Sequence, residues 1–352
     1  MVYSQVLIQE YINMNLEQNY LRERTGSMRQ LAYIRRAVLE DGKGRNMRVM
    51  EISNGSGLDF TVYPDRGMDI GEAKFKGVPL AWMTPNGPVA PEFYEAEGLN
   101  WLRSWSGGLL TGCGLMNVGG PNRSGGEEHG LHGRLSHTPA GQVNSSARWN
   151  NDGIFELKID GDIRVSRVFG KNLLMTRTIR TALGDNSIEI EDRVCNEGFR
   201  VTPFMLLYHM NFGFPLVDEN TYLECVDHKV TPQNAIAAGG FREWRHAEPP
   251  QGDFAEQVFY HDIPADENGM AHISMINPDS KLKLTVSYRT AELPFLVQWK
   301  QMGRGEYVMG LEPANCYPEG QENFEKRGLL KLLAPGEVVT TKVKVAIEEI
   351  TD

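Results

Sequence analysis

Residues 338–350 read VVTTKVKVAIEEI, with Val339, Thr341, Val343 and Val345 at every second position. A period of two is that of a strand with one buried face, because successive side chains leave a pleated backbone on opposite sides. The same alternation recurs upstream, at Leu282, Leu284 and Val286 in KLKLTVSYRT and along SIEIEDRVCN from Ser187. Further short runs rich in apolar and β-branched residues are RVMEIS, LDFTVY, VPLAWM, FELKIDGDIRVSRVF, LLMTRTIRTAL, FLVQWKQM and YVMGLEP. Gly, Pro, Asn and Asp separate them. Strands at short regular spacing, with few helical stretches between, predict a mainly β fold built as a large antiparallel β-sandwich.

The N-terminal part reads differently. Residues 16–44, LEQNYLRERTGSMRQLAYIRRAVLEDGKG, carry apolar residues at helical spacing with arginines between and end at a glycine turn. The expectation is a short helical or mixed extension over 1–45, packed on one β-sandwich domain over 46–352, with the short helices mostly near the N-terminus. No internal repeat, low-complexity tract or linker divides the rest.

With 352 residues, 41% of them hydrophobic, the chain can bury a sizeable core. A net charge of −10 without a basic tract argues against a nucleic-acid partner. No apolar run is long enough for a membrane span. The start, MVYSQVLIQEYINMN, lacks the basic and apolar regions of a secretory signal. Cys113, Cys195, Cys225 and Cys316 are far apart and form no CxxC pair, so free thiols in a reduced cytoplasm are expected.

Polar residues that could carry chemistry fall in a few places. Residues 127–140, EEHGLHGRLSHTPA, bring together His129, His132, His137 and Arg134, with Gly130 and Gly133 around His132. The glycine-heavy run before them, SGGLLTGCGLMNVGGPNRSGG from Ser106, reads as turns and loops at the rim of a concavity. In PFMLLYHMNFGFP, His209 and Asn211 would share one face of a strand, although a histidine satisfied in the core is the competing reading. In YVMGLEPANCYPEG, Glu312 follows an apolar strand, where a carboxylate is expensive to bury unless paired or used. A structural ion pair is its alternative.

Weaker candidates are Arg66 in PDRGMDI, where a hairpin turn competes, and Glu256 and Gln257 in FAEQVFYHDI. Arg103 in LNWLRSWSGG could clamp an anion or a hydroxyl, against the commoner solvated arginine. Glu127, His129 and His132 are suitable metal ligands by type, but their spacing is not the helical HExxH pattern. There is no Walker loop, dinucleotide fingerprint or GxSxG elbow. No metal and no cofactor is expected.

Taken in order, these segments resemble the aldose 1-epimerase (mutarotase) superfamily, and more closely its bacterial aldose 1-epimerase-like branch. LHGR at Leu131–Arg134 is similar to the LHGG of galactose mutarotase, YHMNFGFP to its NHSYFNL segment, GLEPANCYPEG to LETQ-x-PDA, and EQVF at Glu256 to DHNF. The likeness covers most of the chain after Arg45. It implies a galactose mutarotase-like supersandwich with an open concave face. It also implies Glu312 as general base, His209 as general acid and His132 as a hydrogen-bonding partner near the sugar's ring oxygen. Arg134, Asn211 and Glu256 would orient hydroxyls; Gln257, Arg103 and Arg66 stand beside them as candidate substrate contacts from the residues alone. The chain departs from the galactose enzymes in having Glu256 for an aspartate and no clean counterpart of their arginine. The function so implied is a carbohydrate-active isomerase, an aldose 1-epimerase acting on a monosaccharide or sugar derivative by metal-free acid/base catalysis. A homodimer is a candidate assembly. The alternatives are a non-catalytic sugar-binding protein on the same scaffold and a metal-dependent sugar isomerase.

Overall fold

The computed structural model describes residues 15–350, so the segment read above for a secretory signal lies almost wholly outside it. The fold is mainly β, and its strand ladders are antiparallel. Three sheets of five, eight and seven strands make up nearly all of it. The eight-stranded sheet runs Tyr222–Glu224, Met270–Asn277, Leu282–Arg289, Val338–Glu349, Ser187–Asn196, Asn172–Ala182, Phe155–Ser166, Gly141–Trp149. The seven-stranded sheet runs Lys229–Pro232, Gln257–Asp262, Phe295–Gly303, Glu306–Ala314, Met205–His209, Thr111–Leu115, and Asn211–Gly213 also pairs with Glu306–Ala314.

Alternation decides which side chains meet. In Val338–Glu349 the buried side chains are Thr341, Val343, Val345 and Ile347. The first three lie in register with Asp192, Ile190 and Ile188 of the neighbouring strand. Across the core Val343, Val345 and Ile347 join Leu206, Tyr208, Met210, Met309 and Leu311 in one apolar cluster. Burying each large aliphatic side chain contributes roughly 1.5–3 kcal/mol. A polar clamp ties the two layers. Tyr208 donates its hydroxyl to Asp192 at 2.7 Å, and Arg177 grips the same carboxylate through two bonds of 2.8 and 2.7 Å. These groups are fully buried, so the ion pair must stay intact to be tolerated.

The opposite face of the seven-stranded sheet follows by the same parity. Met205 and Leu207 point there, as do Val258, Tyr260 and Val297, around a second apolar cluster. His209 continues the first of these rows, and Glu312 is the register partner of Val297. This face is where the candidate site lies.

The N-terminal region departs from the helical reading. Among its described residues only Gln18–Arg22 is α-helical, and Tyr33–Val38 is a strand paired along its whole length with Arg48–Ser53 in the five-stranded sheet. Leu31, Ile34 and Val38 do have helical spacing, but a short isolated helix is marginal, and pairing with a waiting strand wins. Among the described residues the short helices are not concentrated at the N-terminus either, since Ala235–Gly239 and Gln321–Lys326 lie far downstream. The glycine-heavy run is not all loop: Thr111–Leu115 is a fully buried strand against Met205–His209. Its glycines permit close approach, because a Cβ on Gly114 would lie 2.2 Å from the carbonyl oxygen of Met205. The four cysteines are unpaired. Among the described residues no helix is long and apolar enough to cross a membrane.

Candidate functional site

His132, His209 and Glu312 come from three distant segments and line one cavity of about 360 Å³. His209 ends the strand Met205–His209, and Glu312 sits near the end of Glu306–Ala314. His209 Nδ1 lies 3.1 Å from Glu312 Oε1, and neither atom makes a hydrogen bond among the described residues. Both side chains are almost completely buried. Room for the carboxylate comes from Gly310, where a Cβ would lie 2.7 Å from Glu312 Oε1.

His132 reaches the cavity through an unusual backbone. Its φ is 55° and that of Gly133 is 73°, two successive residues in the left-handed region. Gly133 has no alternative, since a Cβ there would lie 2.6 Å from the Gly114 carbonyl oxygen. His132 Nδ1 accepts the N–H of Gly119 at 3.3 Å. A neutral ring that accepts at Nδ1 carries its proton on Nε2, which leaves that atom as a donor.

Tryptophans form the walls. Trp101, Trp105 and Trp299 line the cavity, and Trp82 backs Trp105 and Trp299 with ring centroids 5.3 and 6.1 Å away. The His209 ring stands edge-on to Trp105 at 5.2 Å and to Trp299 at 5.3 Å. Trp299 donates its indole N–H to Glu256 at 2.8 Å, which fixes both ring and carboxylate. Large aromatic faces with a few convergent polar groups are the usual composition of a small-molecule site. Gln233 also lines it. Sequence reading missed the tryptophans and Gln233, although four of the chain's six tryptophans gather here, two of them in the NWLRSW stretch that flanks Arg103.

The electrostatics follow from the burial of these side chains. Burial, with the Glu256 carboxylate adding to it, holds the Glu312 carboxyl well above its ordinary range. Burial also pushes the His209 imidazole down to about 3, with the neighbouring His132 ring in support and the Asn211 amide opposing. His132 is pushed down to about 4 by burial alone. Each group is thereby driven toward its neutral form, so the Glu312–His209 pair holds one proton in total over a wide pH range.

The other expected site residues divide. Glu256 lines the cavity. Gln257, one residue on, points to the opposite face, where its amide packs against Gly240. Asn211 is fully buried beside the strand end and donates to the carbonyl oxygens of Gly108 and His209, at 3.0 and 2.9 Å. It supports the segment that carries His209 rather than lining the cavity. Arg134 is exposed and lines a different cavity behind the Gly130–Arg134 loop, because the left-handed turn at His132 and Gly133 swings it away. Arg103 is exposed beyond the wall and bonds Asn100 at 3.2 Å. Arg66 is wholly buried, donating to the carbonyl oxygens of Ser136, Val89 and Ser104 at 2.7 Å each. It fixes the loops that present Trp105 and His132 and has no open edge for a ligand. His137 is buried against Ser104 at 2.8 Å and stacked on Tyr94. His129 and His132 line different cavities, and no group of three or more His, Cys, Asp and Glu among the described residues could hold a metal ion.

Residues 44–347 match the model of the family described as Domain of unknown function (DUF4432), and the chain belongs to that family. A Klebsiella pneumoniae protein, provisionally named an aldose 1-epimerase, superposes with a TM-score of 0.82 at 26% identity, over 90% of this chain and 83% of that one. A galactose mutarotase-like protein from Clostridium acetobutylicum gives a TM-score of 0.65 at 13% identity, over 91% of this chain and 100% of its own. The galactose 1-epimerase of Lactobacillus acidophilus gives 0.60 at 14% identity, over 91% and 100%. The fold is that of the galactose mutarotase-like proteins. No curated protein matches the sequence.

Proposed function

We propose that this member of the DUF4432 family is a carbohydrate-active isomerase, an aldose 1-epimerase that interconverts sugar anomers by acid/base catalysis. The observation that carries the reading is the buried His209–Glu312 contact of 3.1 Å in a tryptophan-walled cavity that also holds His132.

The chemistry needs one proton removed from the anomeric hydroxyl and one delivered to the ring oxygen. The C1–ring oxygen bond then breaks, the carbonyl carbon rotates about its bond to C2, and the ring closes on the other face with both proton movements reversed. The pair's one proton rests on Glu312 and first crosses to His209; Glu312, now a carboxylate, takes the hydroxyl proton while the protonated His209 delivers its own to the ring oxygen. A pair holding one proton meets this demand, and because the reaction runs both ways the two groups exchange roles in each cycle. His132, with Nε2–H free, donates to the ring-oxygen region as charge develops there. The tryptophan faces bind the C–H surface of a pyranose, and Glu256, held by the Trp299 indole, accepts from its hydroxyls. The four free cysteines accord with a reduced cytoplasm as the place of work.

Anomer-exchange NMR on a panel of free aldoses, with and without a strong chelator, tests this. Accelerated exchange that survives the chelator supports the reading. Saturable sugar binding with exchange no faster than buffer would make the protein a sugar-binding module instead. Exchange abolished by the chelator and restored by a divalent metal would point to a metal-dependent isomerase.

A further inference from the structure

The loop Gly130–Arg134 separates two cavities of opposite character. The front one, described above, is lined by Glu256 and Glu312 and by no lysine or arginine. The one behind, about 460 Å³, is lined by Arg123, Arg134, Arg167 and Lys171 against two glutamates. In a chain of net charge −10, this is a local excess of positive charge inside a concave wall.

The four cations are not equivalent. Arg167 and Lys171 both pair with Glu127, at 3.0 and 3.5 Å. Arg134 makes no ion pair or side-chain hydrogen bond among the described residues; its guanidinium lies 5.5 Å from the ring centroid of Tyr94. That ring is fixed in turn, stacked on His137 at 4.2 Å and hydrogen-bonded from its hydroxyl to the Gly133 carbonyl oxygen at 3.1 Å. Arg134 is therefore supported from below with its N–H edge unused. Arg123, on the hairpin Asn122–Ser124/Glu127–His129, also has no partner among the described residues. A planar guanidinium presents donors in a fork that matches a tetrahedral oxyanion.

We propose that the rear cavity binds a small phosphorylated metabolite, with Arg134 and Arg123 as the ligands of its phosphate. The cavity is larger than an inorganic phosphate needs and falls in the range that accommodates a sugar phosphate. This site is separate from the proposed anomer exchange and stands or falls without it. It gives Arg134 a ligand of its own on the side of the loop away from His132.

Calorimetric titration of the full chain at low ionic strength tests it, with inorganic phosphate, glucose 6-phosphate and uncharged glucose as probes. Glucose 6-phosphate should bind saturably, and raised salt should weaken it. Arg134→Gln and Arg123→Gln should each weaken binding about tenfold or more, the scale of a lost charge-assisted hydrogen bond. Arg103→Gln, outside the cavity, should leave it unchanged. Both target arginines are exposed, so the variants should fold. Inorganic phosphate binding with the same arginine dependence would support the site and identify the bare oxyanion as sufficient. Absence of saturable binding by either anion would overturn the proposal, as would binding indifferent to both substitutions. Glucose 6-phosphate binding lost in a Glu312→Gln variant but retained in Arg134→Gln would also overturn it by moving the anion to the front cavity.

Discussion

His209 Nδ1 lies 3.1 Å from Glu312 Oε1 in the tryptophan-walled cavity, and neither atom makes a hydrogen bond among the described residues. A surface pair at this distance would be an ordinary salt bridge. Here both groups are buried, and burial drives the carboxyl up and the imidazole down, away from the charged pair. Such an arrangement costs stability and keeps one transferable proton between two groups, which is the requirement of reversible proton exchange.

The pH dependence of turnover should carry this signature. An ordinary histidine titrates near 6.5, whereas His209 is pushed down to about 3. The acid limb of kcat should therefore lie well below pH 6.5, with near-maximal turnover still seen at about pH 5. The alkaline limb follows loss of the pair's single proton. A pH–rate profile with an acid limb near 6.5 would show that His209 is not desolvated in the working protein.

Stability should move the opposite way from activity when Glu312 is neutralised. Its folded-state pKa is raised above the ordinary 4.5, so its contribution is present below that pH and lost as pH rises through the folded value. Glu312→Gln removes that loss. The variant should melt at the same temperature as the parent near pH 4, and higher by a few degrees at pH 7–8, on the order of 1–2 kcal/mol. His132 and His209 work in the other sense. Their lowered values make the parent lose stability as pH falls from 6.5 toward about 4 and 3. Melting curves across pH for parent and variant check both signs; a Glu312→Gln protein that melts lower at pH 8 would mark Glu312 as a structural ion-pair partner.

The tryptophan wall should act on binding more than on chemistry. Trp299→Ala removes an aromatic face and frees Glu256, which the indole holds at 2.8 Å. KM should rise about tenfold or more, with kcat changed less. Steady-state kinetics resolve this, and Trp299→Phe should recover the stacking part alone.

The arginines should separate by burial. Arg66→Leu leaves three buried carbonyl oxygens without a donor and should lower stability by several kcal/mol, at roughly 1–3 kcal/mol for each orphaned group. Arg103→Ala should change neither the melting temperature nor KM. Thermal melts and kinetics on the two variants suffice.

The strands were legible because period-two alternation has one physical cause, and Val338–Glu349 buries the same parity that its sequence displays. His209 and Glu312 were legible as polar residues in apolar strands, where something must justify their burial. Arg134 was not, because its direction depends on two successive left-handed residues, His132 and Gly133, and only one of these is a glycine. Gln257 was misplaced by one step of parity from Glu256. Tyr33–Val38 reads as helix in isolation, and only its partner strand makes it β. The tryptophans carry no periodic signal of their own, and only the three-dimensional arrangement makes them walls of a cavity.

The most direct test is anomer-exchange NMR on one accelerated aldose, comparing the parent with Glu312→Gln at matched folded concentration. Glutamine keeps the size of the side chain and cannot take up the proton. The exchange rate should fall on the order of 10²–10⁴-fold, with sugar affinity changed far less. A Glu312→Gln protein that exchanges anomers at the parental rate would contradict it.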